Sequence, residues 1–228
     1  MDMKTDLQIL FEDAHCLVVA KPPGLLTQGY PGGEASLEDA ARSYLSQGDT
    51  TKNVYLGTVH RLDRPVSGVV LWAKNVKAAR RLSEQFAERV AKKTYWALVE
   101  TAKPTPPTGS WTDWLSSVNA AGTVNCTTLE VNHTKQAITA YWHMTSASRV
   151  PEGSVAMVFE PKTGRTHQLR AQAAKHVGPI VGDVVYGATM PWPHGIALHA
   201  RRIEVEHPIL HTPLIVEAPA PAWWPACS

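Results

Sequence analysis

The residues best placed to do chemistry run His60-Arg61-Leu62-Asp63-Arg64-Pro65-Val66-Ser67-Gly68, followed at once by the apolar stretch Val69 to Ala73. A carboxylate set between two guanidiniums, in a loop that feeds a buried strand, can act as nucleophile, general base or metal ligand. A surface Arg–Asp pair, common and weakly stabilising, would look the same. A second segment is Pro161-Lys162-Thr163-Gly164-Arg165-Thr166-His167-Gln168-Leu169-Arg170. Gly164 permits a sharp turn, Thr166 can cap the helix that follows, and Arg170 falls one turn later. A helix N-terminus with arginines suits phosphate, although a capped helix with solvated basic side chains fits equally. The third segment is Lys93-Thr94-Tyr95-Trp96-Ala97. In a strand, Tyr95 and Ala97 share one face, and a tyrosine can stack on a base while offering a hydroxyl. A core aromatic is the plainer reading.

These segments need elements to position them. LQILFEDAHCLVVA (7–20) reads as two short strands around an acidic turn at Glu12-Asp13. KPPGLLTQGYPGG follows as a loop, broken by proline and glycine. Ser36 is placed to cap a helix of about a dozen residues. Gly68 to Lys74 reads as a buried strand. Asn75 is placed to cap a helix over 76–90, whose Leu82, Phe86 and Val90 recur on one face. Strands are expected over 93–101, 137–144, 154–160, 196–206 and 214–217, and a helix over 166–176. KPTPPTGS (103–110) is a proline-rich connector inside a single domain, and the Pro- and Trp-rich tail PAPAWWPACS carries no regular element. Strands outnumber helices in irregular order, which makes the class α+β.

Composition narrows the function classes. The 228 residues suffice for one domain with a sizeable core, and 22 Lys and Arg against 20 Asp and Glu neither demand nor exclude nucleic acid. Any RNA must therefore meet a local basic surface. Candidates are the four basic residues from Lys74 to Arg81, Lys92-Lys93 and Arg201-Arg202. Cys16, Cys126 and Cys227 are odd in number and widely spaced, which argues against a disulfide framework and against a thiolate zinc site. The N-terminus does not read as a signal peptide, and the apolar runs are too short to span a bilayer. A cytoplasmic setting is expected.

HRLDRPVSGVVLWAK resembles the signature of the RluA-type RNA pseudouridine synthases; KTYWALVE resembles the second motif of that family and TGRTHQLR the third. LFEDAHCLVVAKPPGLLTQG, VGDVVYG and IALHARRIEVEHP resemble its flanking blocks, in order, over residues 8 to 216. The resemblance implies a mixed, largely antiparallel sheet with flanking helices and a central RNA-binding cleft. It implies an isomerase that converts uridines of tRNA or large-subunit rRNA to pseudouridine by base flipping, without metal or cofactor, and a monomer with no membrane partner. Asp63 matches the nucleophile, Tyr95 the tyrosine that packs against the target base, and Arg170 the arginine that pairs with the aspartate. Arg61 matches the arginine implicated in base flipping, and Leu198 an apolar wall of the pocket. His60, Arg64, Lys93 and Arg165, which stand in the same motifs, are expected to contact substrate.

Two departures bear on this. Pro65-Val66 stands where relatives often carry Asp-Thr, which stiffens the loop after Arg64 and removes a hydroxyl. The catalytic domain starts almost at once, so a single domain over 1–228 is expected, without the small N-terminal RNA-binding appendage of many relatives. A metal-dependent hydrolase using His60, Asp63, His167 and His176 is a competing class, but no HExxH or paired ligand motif supports it. A catalytically silent RNA-binding module is another, and the joint presence of Asp63, Tyr95 and Arg170 speaks against it.

Overall fold

The computed structural model describes residues 7–30, 32–49, 51–145, 150–222 and 224–225. The chain divides into two compact units, Met1–Ala91 with Ala200–Pro219, and Lys92–His199 with Ala220–Ser228. The proline-rich connector at 103–110 lies inside the second.

In the first unit, β1 (Gln8–Glu12) and β2 (Cys16–Lys21) form the expected hairpin, its turn fixed by the Asp13 carboxylate, which accepts from the amides of His15 and Cys16 at 2.8 and 2.7 Å. Helix α1 (Leu37–Leu45) starts at Ser36 in a complete capping box with Asp39. It has nine residues and stops sooner than the pattern suggested. After the short β3 (Gly57–Thr58), β4 (Ser67–Ala73) is buried at all seven positions, as expected of an unbroken apolar run covered on both faces. β2 pairs antiparallel with β4, Lys21 opposite Gly68. Asn75 caps α2 (Val76–Ala87), accepting from the amide of Ala78 at 2.9 Å. Leu82 faces the core, but Val90 is exposed: the helix ends at Ala87, and Arg89, at φ 63°, turns the chain away before Val90 can join the apolar face.

The second unit carries β5 (Lys92–Glu100), β6 (Thr108–Leu115), β7 (Cys126–Thr127), β8 (Lys135–His143) and β9 (Ser154–Pro161), paired in the order β5-β9-β8-β6-β7. The ladders that join them are antiparallel. β6 was not foreseen from the sequence. Trp111, Asp113 and Leu115 alternate inward along it, yet the charge at 113 hides the apolar alternation. Trp111 stacks on Tyr141 and on His176, with ring centroids 4.4 and 5.1 Å apart. Helix α3 (Gln168–His176) and a 3-10 turn (Val184–Tyr186) follow. The chain passes from the second unit to the first within β10 (Leu198–Glu206), which pairs antiparallel with β11 (Pro213–Glu217).

Two expectations about α3 need correcting. Thr166 does not cap it; the N-cap position is His167, in the left-handed region at φ 53°, with no side-chain cap. The sharp turn therefore falls at His167 and not at Gly164. The Gln168 side chain instead ties down the turn that precedes the helix, its Oε1 accepting from Thr163 Oγ1 at 2.7 Å and from the Arg165 amide at 3.0 Å. Among the described residues Cys16 and Cys126 are free thiols; Cys227 and part of the C-terminal tail lie outside them.

Candidate active site

Asp63 is half-buried, and the chain on either side of it is fixed through backbone atoms. On one side, Thr27 Oγ1 donates to the Leu62 carbonyl at 2.7 Å and accepts from the Leu62 amide at 3.1 Å. On the other, the Arg64 carbonyl accepts from the Gly24 amide at 2.8 Å and from Lys21 Nζ at 3.0 Å. The Asp63 carbonyl itself closes a turn onto the Val66 amide at 3.1 Å.

Lys21 is 1% exposed, and its ammonium also donates to the carbonyls of Pro22 and Leu25, at 3.0 and 2.7 Å. Burial drives its pKa down to about 7, against an opposing pull from the negative charge of Asp63. A buried cation beneath a carboxylate loop is thus held by three carbonyls. Gly68 completes the frame. It sits at φ +121°, and a Cβ there would lie 2.3 Å from the backbone oxygen of Ala200, so only glycine allows β4 its approach to β10.

The other motif residues of this loop have partners of their own. His60 accepts the Leu71 amide at 2.9 Å and stacks on Phe86 at 5.1 Å, which pegs the loop to β4. Arg64 is exposed and bonds Glu34 at 2.6 Å and the Gly24 carbonyl at 2.9 Å. Arg61 is exposed. Arg201 and Arg202, candidate RNA contacts by sequence, instead sit on acids: Arg201 bonds Glu217 at 2.5 Å and the Ala218 carbonyl at 2.6 Å, and Arg202 bonds Glu204 at 3.1 Å. The β10–β11 register sets Arg202 opposite Glu217, which explains this neutralisation. Lys74 and Arg80 are likewise paired with Glu12 and Glu84.

In the second unit, Tyr95 lies half-buried on β5 opposite Phe159 of β9, with Lys93 two residues earlier on the same face. Lys93 Nζ reaches the Thr163 carbonyl at 3.5 Å, and burial lowers its pKa to about 8. Arg165 donates to the Gln136 carbonyl at 3.0 Å, and Leu198 is buried at the start of β10. Arg170, in the first turn of α3, is 4% exposed. Its guanidinium meets Asp183 side-on, Nε to Oδ2 at 2.6 Å and Nη2 to Oδ1 at 2.7 Å, with the Tyr186 ring 5.1 Å below. Neither Asp183 nor Lys21 was singled out by sequence reasoning. Their signal was present in the VGDVVYG and KPPG blocks, but nothing in a linear pattern says what an aspartate or lysine 13 or 43 residues from its target will touch.

α3 is anchored by a chain of buried polar groups. Gln168 Nε2 donates to Thr139 at 2.9 Å, Thr139 donates to Gln172 at 2.7 Å, and Gln172 donates to Asp113 at 2.8 Å. Asp113 also accepts from Lys175 at 2.5 Å and His176 at 2.8 Å. Burial alone would raise its pKa; the bonds from His176, Lys175 and Gln172 outweigh burial and bring it down to about 2.

Among the described residues, Asp13, Cys16 and His207 bring potential metal-ligand atoms within 4.8 Å of one another. Their chemistry is poor for a cation. His207 Nδ1 accepts the Leu210 amide at 2.9 Å, which puts the proton on Nε2, where Asp13 takes it at 2.8 Å. Burial pushes the Cys16 thiol up to about 12, so it stays protonated. The trio pins the β1–β2 turn to the β10–β11 turn.

The model of the RNA pseudouridylate synthase family matches residues 15–175. An uncharacterized RNA pseudouridine synthase of Zymomonas mobilis is 35% identical over 94% of this chain and 94% of its own. The ribosomal large subunit pseudouridine synthase D of Xylella fastidiosa is 30% identical over 96% of this chain and 70% of its own. Among solved structures, human RNA pseudouridylate synthase domain containing 4 superposes with a TM-score of 0.74 over 95% of this chain and 89% of its own, at 23% identity, which speaks to the fold. No described helix is long and apolar enough to cross a membrane. The motifs, the fold and these matches agree, and the chain belongs to the RluA-type RNA pseudouridine synthases, isomerases that act on RNA.

Proposed function

We propose that this enzyme converts uridines of large-subunit rRNA, of tRNA, or of both to pseudouridine, with Asp63 as nucleophile. The observation that carries the reading is the rigid seat of Asp63: both neighbouring peptide units are fixed by Thr27, Lys21 and Gly24, with a buried ammonium beneath. A nucleophile held this way meets its target without first having to be ordered.

The isomerisation breaks the bond from ribose C1′ to uracil N1 and forms one from C1′ to C5; the C5 proton leaves and N1 gains one, so no oxidant or reductant is consumed. Asp63 adds to C1′ or to C6. Tyr95 supports the flipped base and assists removal of the C5 proton, and Arg170 orients the carboxylate. Arg61, with an exposed side chain, enters the gap left by the base. Lys93 and Arg165, with His60 and Arg64 beside the nucleophile, contact substrate, and Leu198 walls the base pocket. The enzyme works as a cytoplasmic monomer without metal or cofactor.

The test is Asp63→Asn, assayed on transcripts of large-subunit rRNA and on tRNA. Turnover should fall below detection while RNA binding persists, and substantial residual turnover would remove Asp63 from the chemistry. Mapping pseudouridines in total RNA with and without the gene identifies the RNA; an unchanged map would overturn the substrate assignment.

A further inference from the structure

We propose that Asp183 is a positioning residue for the reaction, acting through Arg170 by fixing the plane and reach of its guanidinium, with the Tyr186 ring as the surface that sets its height. This rests on the reading above, in which Arg170 serves the nucleophile.

The contact is built to hold an orientation. Asp183 engages Nε and Nη2, the side-on edge of the guanidinium, at 2.6 and 2.7 Å, so rotation about the last side-chain bonds is blocked in both senses. Among the described residues both carboxylate oxygens of Asp183 are committed to this one partner. The Tyr186 ring lies 5.1 Å from the guanidinium carbon and closes off one face.

Asp183 and Tyr186 are themselves held. Tyr186 Oη accepts the Val124 amide at 3.0 Å and bonds His167 Nδ1 at 3.1 Å, which ties the loop to the residue that opens α3. The amides of Tyr186 and Ala188 donate to the Asp183 carbonyl at 3.0 and 3.1 Å. Gly182, at φ +84°, allows the chain to pass where a Cβ would stand 2.5 Å from Trp192 Cβ. Arg170 is thus gripped from a loop 13 residues on, and that loop is anchored to the start of its own helix.

Stability alone does not account for such a pair. Side-chain exposure is 5% for Arg170 and 1% for Asp183, and burying two charges costs about as much in lost hydration as their attraction returns. What the arrangement supplies is geometry. A planar, forked cation whose near edge is fixed presents its far edge at one angle, a property a lysine lacks.

The test is Asp183→Asn in the full enzyme, with single-turnover rate, KM and RNA affinity measured separately, alone and combined with Arg170→Lys. Asparagine keeps the shape but turns one acceptor into a donor facing another donor. The expected result is a rate loss of about tenfold to hundredfold, with RNA affinity unchanged within about twofold. In the Arg170→Lys background the same change should cost less than about threefold, because the group it acts through is already gone. Wild-type rates for Asp183→Asn, or an equal loss in both backgrounds, would overturn the proposal. Should Asp183→Asn fail to fold, Tyr186→Leu decides, with Tyr186→Phe as its control: leucine removes the ring face and the Oη bonds, phenylalanine the Oη bonds alone, and a rate loss of about fivefold for leucine beyond that for phenylalanine, at unchanged affinity, is expected. Normal turnover there would defeat it. If Arg170→Lys turns over normally, the assignment of Arg170 falls and this inference falls with it; a normal Asp183→Asn beside an impaired Arg170→Lys sinks the inference alone.

Discussion

The Asp63 loop and the Arg170 helix are immobilised by opposite means. Asp63 is held through peptide groups: the Leu62 amide and carbonyl, the Arg64 carbonyl, and the bare Cα of Gly68 against Ala200. Arg170 is held through side chains: the Asp183 fork, the Tyr186 ring, and the Gln168-Thr139-Gln172-Asp113 relay along α3. A backbone frame fails when something is inserted into it. A side-chain frame fails when one partner changes chemistry. The two regions should therefore break under different substitutions and show it in different measurements.

Insertion into the backbone frame is the most damaging change. Gly68→Ala places a methyl 2.3 Å from the Ala200 oxygen at a φ of +121°, and a strand backbone cannot move aside as a flexible side chain can. A loss of about 3 kcal/mol or more is expected in urea or thermal unfolding. A variant as stable as the wild type would mean that the β4–β10 approach is looser than the geometry states.

In the side-chain frame, Arg170→Lys keeps the charge and loses the fork. A rate loss on the order of a hundredfold is expected in single-turnover assays, with only a small change in melting temperature. A large stability loss at nearly normal rate would reverse the comparison, making Arg170 a structural cation.

This contrast also explains what was legible in the sequence. The Asp63 loop was legible because Asp63, Gly68 and the buried strand lie within one uninterrupted stretch, and the Ser36 and Asn75 caps and the alternation of β8 follow local rules; the partners that fix the loop, Thr27 and Lys21, lie 35 and 43 residues away and were not. The Arg170 frame was hidden because its members are buried polar groups. Asp113, Gln172 and Asp183 are polar residues in the interior, where pattern reading assigns charge to the surface, and their partners lie 59 and 13 residues away for Gln172–Asp113 and Arg170–Asp183. β6 went unread because Asp113 interrupts its apolar face, and Arg201 and Arg202 looked like an RNA patch because Glu217 is distant in sequence and adjacent in the sheet.

Lys21 lies between the two modes, a side chain that serves backbone groups. Lys21→Met removes the donor to three carbonyls but also removes a buried cation. The first effect outweighs the second, and a net loss of about 2 kcal/mol at pH 7 is expected. The pH dependence sharpens this. The folded pKa is about 7 against 10.5 unfolded, so between those values the unfolded chain holds a proton that the folded chain has released. Wild-type stability gains from that difference as pH rises through the window, and the variant does not. The gap between them should widen from pH 7 to pH 9; a constant gap would show that Lys21 is not the group titrating.

The smallest expected effect concerns Lys93, which neither frame uses. Its ammonium is desolvated on the Tyr95 face of β5, within 3.5 Å of a carbonyl and beside Gly164, and no carboxylate pairs with it among the described residues. A cation in that position is incomplete until an anion arrives, and an RNA phosphate is the anion this enzyme meets. Burial alone lowers its pKa to about 8, and an approaching phosphate favours the charged form. Binding at pH 8 to 9 should therefore take up protons, and affinity should fall as pH rises through that range. Lys93→Gln should cost about threefold to tenfold in affinity at pH 7 and flatten the fall above pH 8. Lys93→Arg, which stays charged, should bind at pH 9 nearly as at pH 7. Neutralising the exposed Lys92 should instead lower the salt dependence by roughly one ion without touching the pH profile. RNA anisotropy titrations at pH 7, 8 and 9, paired with calorimetry in two buffers of different protonation enthalpy, measure both quantities. If Lys93→Gln keeps the wild-type pH slope and proton uptake, the phosphate lies elsewhere and Lys93 merely supports the Thr163 turn.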